Sequence, residues 1–145
     1  MLVDFYHLDR SPLERVLPRI CERLLESGER LLLVGEPALL QQLDELLWTY
    51  APESFLPHGR SEAASPESQP ILLSPTVNAV NGAANIALAD GVWREEALAF
   101  ARAFYFFDNS NLDIARGSWR ALKDKISVDR RYWKQDEHGR WVQGP

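Results

Sequence analysis

Arg30-Leu31-Leu32-Leu33-Val34-Gly35 is the stretch that decides the fold. A short, unbroken apolar run closed by glycine offers no polar face to water, so it suits a central parallel strand covered on both sides. Helical patterns flank it. Upstream, Ser11-Pro12-Leu13-Glu14 predicts a helix start, with Ser11 as cap, Pro12 in the first turn and Glu14 completing a capping box. Leu13, Val16, Leu17, Ile20, Cys21 and Leu24 follow at helical spacing, Pro18 predicts a kink, and Gly28 suits the C-terminal cap. Downstream, Pro37 opens a second helix with a wide stripe of Leu39, Leu40, Leu43, Leu46 and Leu47.

Further out, Val3 to Leu8 is aromatic and β-prone and predicts an opening strand. From residue 51 to about 70 the periodicity lapses into Pro, Ser, Glu and Gly, which predicts a surface loop. Residues 71–73 and 85–88 are short strand candidates, 93–103 has helical spacing, and Phe104-Tyr105-Phe106-Phe107 favours a strand. Asp108, Asn109 and Ser110 are candidate caps for a helix reaching about Lys125. The tail carries Tyr132-Trp133-Lys134 and Arg140-Trp141-Val142 around His138-Gly139, the pattern of an edge hairpin. Strands alternating with helices imply right-handed crossovers and a three-layer α/β/α domain with a mostly parallel, Rossmann-like sheet. One domain is expected over residues 1–145, with a C-terminal extension near 127–145.

The 145 residues suffice for one core, and a lone cysteine excludes an internal disulfide. With no signal sequence and no spanning apolar run, the expectation is a soluble cytoplasmic protein. The formal charge is −5, from 16 Lys plus Arg against 21 Asp plus Glu. Cations on phosphates dominate nucleic-acid affinity, so general DNA binding is disfavoured and DNA should be reached through protein partners.

Catalytic patterns are missing from the sequence. The turn Gly35-Glu36-Pro37-Ala38 has neither dinucleotide-type glycine spacing nor a phosphate-loop lysine, and its glutamate would repel phosphate. Cys21 lies on an apolar helix face, no serine sits in a nucleophile elbow, and His7, His58 and His138 are isolated from one another. No cofactor or metal is expected.

Two stretches stand out. Leu43 through Trp48 and Tyr50 to Phe55, Leu56, Pro57 and His58 carries large apolar groups past a helix end into a loop. Such groups mark partner surfaces or close the core, and composition alone does not decide between the two. In the second stretch Leu112, Ala115, Trp119 and Leu122 form a helical stripe with Arg116, Arg120 and Lys123 beside it. Guanidinium groups bracketing an indole suit an apolar-tipped, carboxylate-bearing peptide, although a core tryptophan beside solvated charges is the commoner arrangement.

These same stretches resemble the chi subunit family of the bacterial DNA polymerase III clamp-loader assembly. The resemblance is carried by Leu43-Asp44-Glu45-Leu46-Leu47-Trp48, by Glu53-Ser54-Phe55-Leu56-Pro57-His58, by the opening strand, and by Ala115-Arg116 followed by Trp119-Arg120. It implies a non-catalytic accessory subunit that binds the psi subunit of the clamp loader. It also implies binding of the acidic C-terminal tip of single-stranded DNA-binding protein (SSB), which ends in aspartates, a proline and a phenylalanine with a free carboxylate. By that resemblance Arg116, Trp119 and Arg120, with Lys123 nearby, match the tip pocket. Trp48 and Phe55, with Leu56, Pro57 and His58, match the psi side, which some members also use for a helicase. Leu112 departs from the polar or basic residue expected at the tip pocket. Two readings from other classes remain beside it: a degenerate nucleotide-binding or hydrolytic α/β domain, and direct single-stranded DNA binding through the basic helix.

Overall fold

The computed structural model describes residues 1–50 and 56–144. Eight strands form one sheet in the order β3-β4-β2-β5-β6-β1-β7-β8. They are β1 (Leu2–His7), β2 (Leu31–Val34), β3 (His58–Arg60), β4 (Ile71–Ser74), β5 (Asn85–Leu88), β6 (Arg102–Phe107), β7 (Asp129–Gln135) and β8 (Trp141–Gln143). Every pairing is parallel except that of β7 with β8. The helices are α1 (Leu13–Glu26), α2 (Pro37–Thr49) and α3 (Leu112–Leu122).

The direction of each crossover fixes the layer in which its connection lies. From β1 to β2 and from β2 to β3 the chain steps one way along the sheet, while from β4 to β5, β5 to β6 and β6 to β7 it steps the other way. Crossovers of one hand that run in opposite directions place their connections on opposite faces. Accordingly α1 and α2 pack with Leu31, Leu33, Phe104 and Phe106 on one face. On the other, α3 and the segments around Val77 and Ala97 cover Phe5, Leu32, Val34 and Tyr105. All four residues of β2 are buried, as its continuous apolar run requires.

Several local expectations fail, while those for the Gly28 cap and for Cys21 as a buried packing residue hold. Ser11 does not cap α1. Its hydroxyl accepts from Gln135 Nε2 at 3.0 Å and its N–H donates to Gln135 Oε1 at 3.0 Å, so it ties the helix start to β7 instead. The helix runs on through Pro18 and ends at Gly28, where Glu29 N–H donates to Leu24 C=O and Gly28 N–H to Leu25 C=O, with Gly28 at φ +73°. No α-helix forms over 93–103; only a 3₁₀ turn at Glu95–Ala99 does. The bidentate grip of Arg94 on Asp90, 2.9 Å to each oxygen, pins the start of this segment, and β6 begins at Arg102. The loop predicted after α2 contains the short edge strand β3, and α3 stops at Leu122 rather than Lys125. Cys21 is a buried packing residue whose thiol pKa is pushed up by burial to about 12.

The tail hairpin is joined to the sheet by parallel pairing of β7 with β1 and by a buried carboxylate. Asp4 on β1 is fully buried. It accepts from Arg131 Nε at 2.7 Å and Nη2 at 3.0 Å, from Arg102 Nη2 at 2.7 Å and Nε at 3.0 Å, and from Trp133 Nε1 at 2.9 Å. Strand periodicity then divides β7 between the two faces. Arg131, Trp133 and Gln135 point toward α1, and Arg130 and Tyr132 toward α3.

Candidate functional site

The basic-aromatic stretch falls on α3. The helix is launched by Asp108, whose carboxylate accepts from Ser110 N–H at 2.8 Å while the Asn111 side chain accepts from Asp108 N–H at 2.8 Å. The Asn111 amide in turn packs against Gly91, at φ +77°, in space that a Cβ would fill. Ala115 and Leu122 are buried against the sheet. Trp119 is half-buried and meets Phe5 edge-on at 5.2 Å and Tyr132 edge-on at 5.8 Å. Arg116, Arg120 and Lys123 are exposed and form no ion pair among the described residues. They are open to an external anion.

Sequence reasoning missed two members of this patch. The Arg130 guanidinium lies 3.9 Å from the Trp119 ring centroid and donates to the Trp119 carbonyl, so one face of the indole is already covered by a cation. Tyr132 forms the adjoining wall. Burial raises its phenol pKa, with the Arg116 charge pulling the other way. Both residues come from β7. Their only signal was the period-2 alternation of Arg130 and Tyr132 against Arg131 and Trp133, which the predicted hairpin implied but did not orient. The outcome is a cationic shelf of Arg116, Arg120 and Arg130 around a half-open aromatic corner, suited to a carboxylate beside an apolar group.

The second stretch divides into surface and support. Trp48, near the end of α2, is 57% exposed. Its ring lies 4.7 Å from that of His58. Pro57 is half-buried, whereas Leu56 and His58 are buried, which corrects the expectation that both belong to an exposed partner surface. Phe55 lies outside the described residues. The His58 ring nitrogens sit 2.6 Å from the Leu56 carbonyl and 3.1 Å from the Asp44 carbonyl, with the Asp44 carboxylate at 3.0 Å. The imidazole thus fastens the chain after α2 to the helix beneath Trp48. His58→Ala should cost about 2–3 kcal/mol in urea unfolding, because it opens a cavity and strands two carbonyls. Trp48 and Trp119 stand on opposite faces of the sheet, since α2 covers one and α3 the other.

At the C-terminal ends of β1, β2, β5 and β6, where open α/β sheets commonly bind ligands, lies a cleft of about 850 Å³. Asp9, Glu14, Glu36, Asp90 and Asp108 line it against Arg10. Glu36 occupies the start of α2, where a bound phosphate would require backbone donors and no competing anion. The cleft has the wrong sign for a nucleotide phosphate. The histidines lie apart: His7 bonds Asn109 and Tyr132, His58 is buried near α2, and His138 is beside Glu137 in the hairpin turn.

No curated protein matches the chain. A family model does, that of the DNA polymerase III chi subunit, HolC, over residues 1–127. The match takes in every element from β1 through α3 and stops short of the β7–β8 hairpin. No helix among the described residues is long and apolar enough to cross a membrane. With the α3 motif, the opening strand and the end of α2 all inside the matched span, the chain belongs to the DNA polymerase III chi subunit family and is an accessory subunit of the replicative polymerase.

Proposed function

We propose that this protein is a non-catalytic, cytoplasmic adaptor of a single domain that links the clamp loader to SSB during DNA replication and is brought to DNA by SSB. The observation that carries this reading is the pair of exposed guanidinium groups of Arg116 and Arg120, without an ion pair among the described residues, on the helix beside half-buried Trp119. The terminal carboxylate of the SSB tip pairs with Arg116 or Arg120, its phenylalanine packs into the corner between Trp119 and Tyr132, and Lys123 attracts the upstream aspartates. Such contacts are individually modest and weaken with salt; avidity comes from one SSB oligomer presenting several tips. On the opposite face Trp48 and Pro57 receive the psi subunit, and in some settings a helicase; by the family resemblance Phe55 takes part with them. The acidic cleft at the strand ends favours this adaptor reading over a nucleotide-binding one.

The test is a titration of a fluorescently labelled SSB tail peptide. Arg116→Ala and Arg120→Ala should each weaken binding about five- to thirtyfold, as expected for loss of a charge-assisted hydrogen bond at a partly exposed site. Amidation of the peptide's terminal carboxylate should do the same, and its effect should largely vanish in the arginine variant that held the carboxylate. Equal affinities for wild type and both variants would remove the site.

A further inference from the structure

On the other face of the sheet, between α1 and the β7–β8 hairpin, runs a groove of about 940 Å³ lined by five arginines and one acid, Glu14. Three of the arginines, Arg15, Arg19 and Arg23, recur every four residues along α1, so they are spaced about 6 Å apart in one row. All three are exposed, and none forms an ion pair among the described residues. The other two, Arg102 and Arg131, share buried Asp4, which leaves that trio with one net positive charge. In a protein of formal charge −5 this is a marked local reversal of sign.

The opposite wall is aromatic. Trp133 stacks near-parallel on Tyr6 at 6.4 Å, and Trp141 meets Tyr6 edge-on at 5.2 Å. Both indoles are only half-buried and both line the groove. They come from the hairpin, beyond the span matched to the chi family. A row of evenly spaced cations facing exposed indoles is the combination by which a groove holds a single strand of nucleic acid, with arginines on successive phosphates and rings under the bases. A peptide with a single apolar tip, as proposed for α3, would use one ring and a carboxylate clamp, whereas here a row of cations faces two indoles. A duplex keeps its bases paired and stacked, so it cannot lay them on the two indoles.

We infer that the groove between α1 and the β7–β8 hairpin holds a few nucleotides of single-stranded DNA. The contact is weak alone, because only three phosphates are neutralised, and it gains strength when the protein is held beside the strand by another interaction. The groove lies on the face away from Arg116, Trp119 and Arg120, so DNA and a peptide on α3 do not compete for the same residues.

The experiment titrates the full chain with oligothymidylate, with no SSB present, following tryptophan fluorescence; its outcome is therefore separate from that of the peptide titration. Binding with quenching is expected at low salt. Three phosphate contacts give a slope of about −2 in log affinity against log salt, a loss of about 16-fold between 50 and 200 mM. Charge reversal of Arg15, Arg19 and Arg23 to Glu should abolish binding, and Arg→Gln at the same positions should weaken it while melting stays cooperative at the wild-type temperature. An abasic oligonucleotide of equal charge should bind more weakly than oligothymidylate. The inference is overturned if wild type binds no oligothymidylate at low salt, if the Gln variant binds as well as wild type, or if the abasic strand binds equally. It is also overturned if a poly-glutamate peptide of equal charge binds more tightly than the oligonucleotide, which would mark the groove as a site for acidic peptides.

Discussion

Replacing Arg102 and Arg131 together by Met is expected to destabilise the protein by about 3–5 kcal/mol at pH 7, lowering the melting temperature by about 10 °C or more. The Asp4 carboxylate has no exposure to water, and four of its five hydrogen bonds come from these two guanidinium groups. Without them an anion stays buried with one indole N–H as its remaining donor. Removing one side of a buried ion pair leaves an uncompensated charge, whereas removing both sides in favour of apolar groups of similar volume does not. Adding Asp4→Leu to the double variant should therefore recover most of the loss. If the triple variant were no more stable than the double, lost packing rather than stranded charge would be the cause.

The pH dependence of the same network follows from the direction of the Asp4 shift. Burial pushes this carboxyl up, but hydrogen bonds from Arg131, Trp133 and Arg102 outweigh it, so its folded-state pKa lies below the ordinary value. A depressed folded pKa stabilises above the unfolded value, about pH 4, and that contribution is lost as pH falls through the folded value. In the Arg102→Met, Arg131→Met variant the anion is left desolvated and its pKa should rise, so acidification should narrow the gap to wild type. Chemical denaturation at pH 7 and pH 4 checks this, and a gap that widened on acidification would refute the account.

Where a segment's own chemistry settles its structure, the sequence was sufficient. The 31–34 run had no polar face and became the fully buried β2, the leucine stripe after Pro37 became α2, and the aromatic run before Asp108 became the buried end of β6. Errors arose where a distant partner decides. Ser11 had the right neighbours for a cap, yet Gln135, 124 residues away, holds both its hydroxyl and its N–H. Trp93, Ala97 and Phe100 have helical spacing, but spacing cannot separate one 3₁₀ turn from an α-helix once Asp90 has fixed Arg94. The site was legible by half. Arg116, Trp119 and Arg120 share one helix and so showed as a local pattern. Arg130 and Tyr132 join them only because β7 returns beside β1, and a polar, aromatic strand carries no hydrophobic alternation from which its facing could be read. Leu56 and His58 erred in the opposite sense, since neighbouring residues in one motif ended on different sides of the protein surface.

Phe5→Ala should cost about 3–5 kcal/mol, a large share of the stability of a domain this size, and should also weaken peptide binding at α3. Phe5 has no exposed surface and is the hub of the aromatic layer beneath that helix. Its ring stacks on Trp93 at 6.2 Å and meets Tyr105, Phe107 and Trp119 edge-on at 5.3, 6.4 and 5.2 Å. Deleting it leaves a cavity bounded by large, well-packed rings that cannot readily collapse inward, and each lost edge contact adds to the transfer cost. The functional consequence follows from the last of these contacts. Trp119 is held on one face by Arg130 and at its edge by Phe5, so without Phe5 the indole can tilt into the void, carrying the stacked guanidinium with it and breaking the corner that faces solvent. Phe5→Leu fills most of the space and should cost about 1 kcal/mol with little change in peptide affinity. Denaturant midpoints paired with the peptide titration separate the two effects. If Phe5→Ala lost its stability yet bound the tip as tightly as wild type at a temperature where it remains folded, Trp119 would not be part of the docking surface.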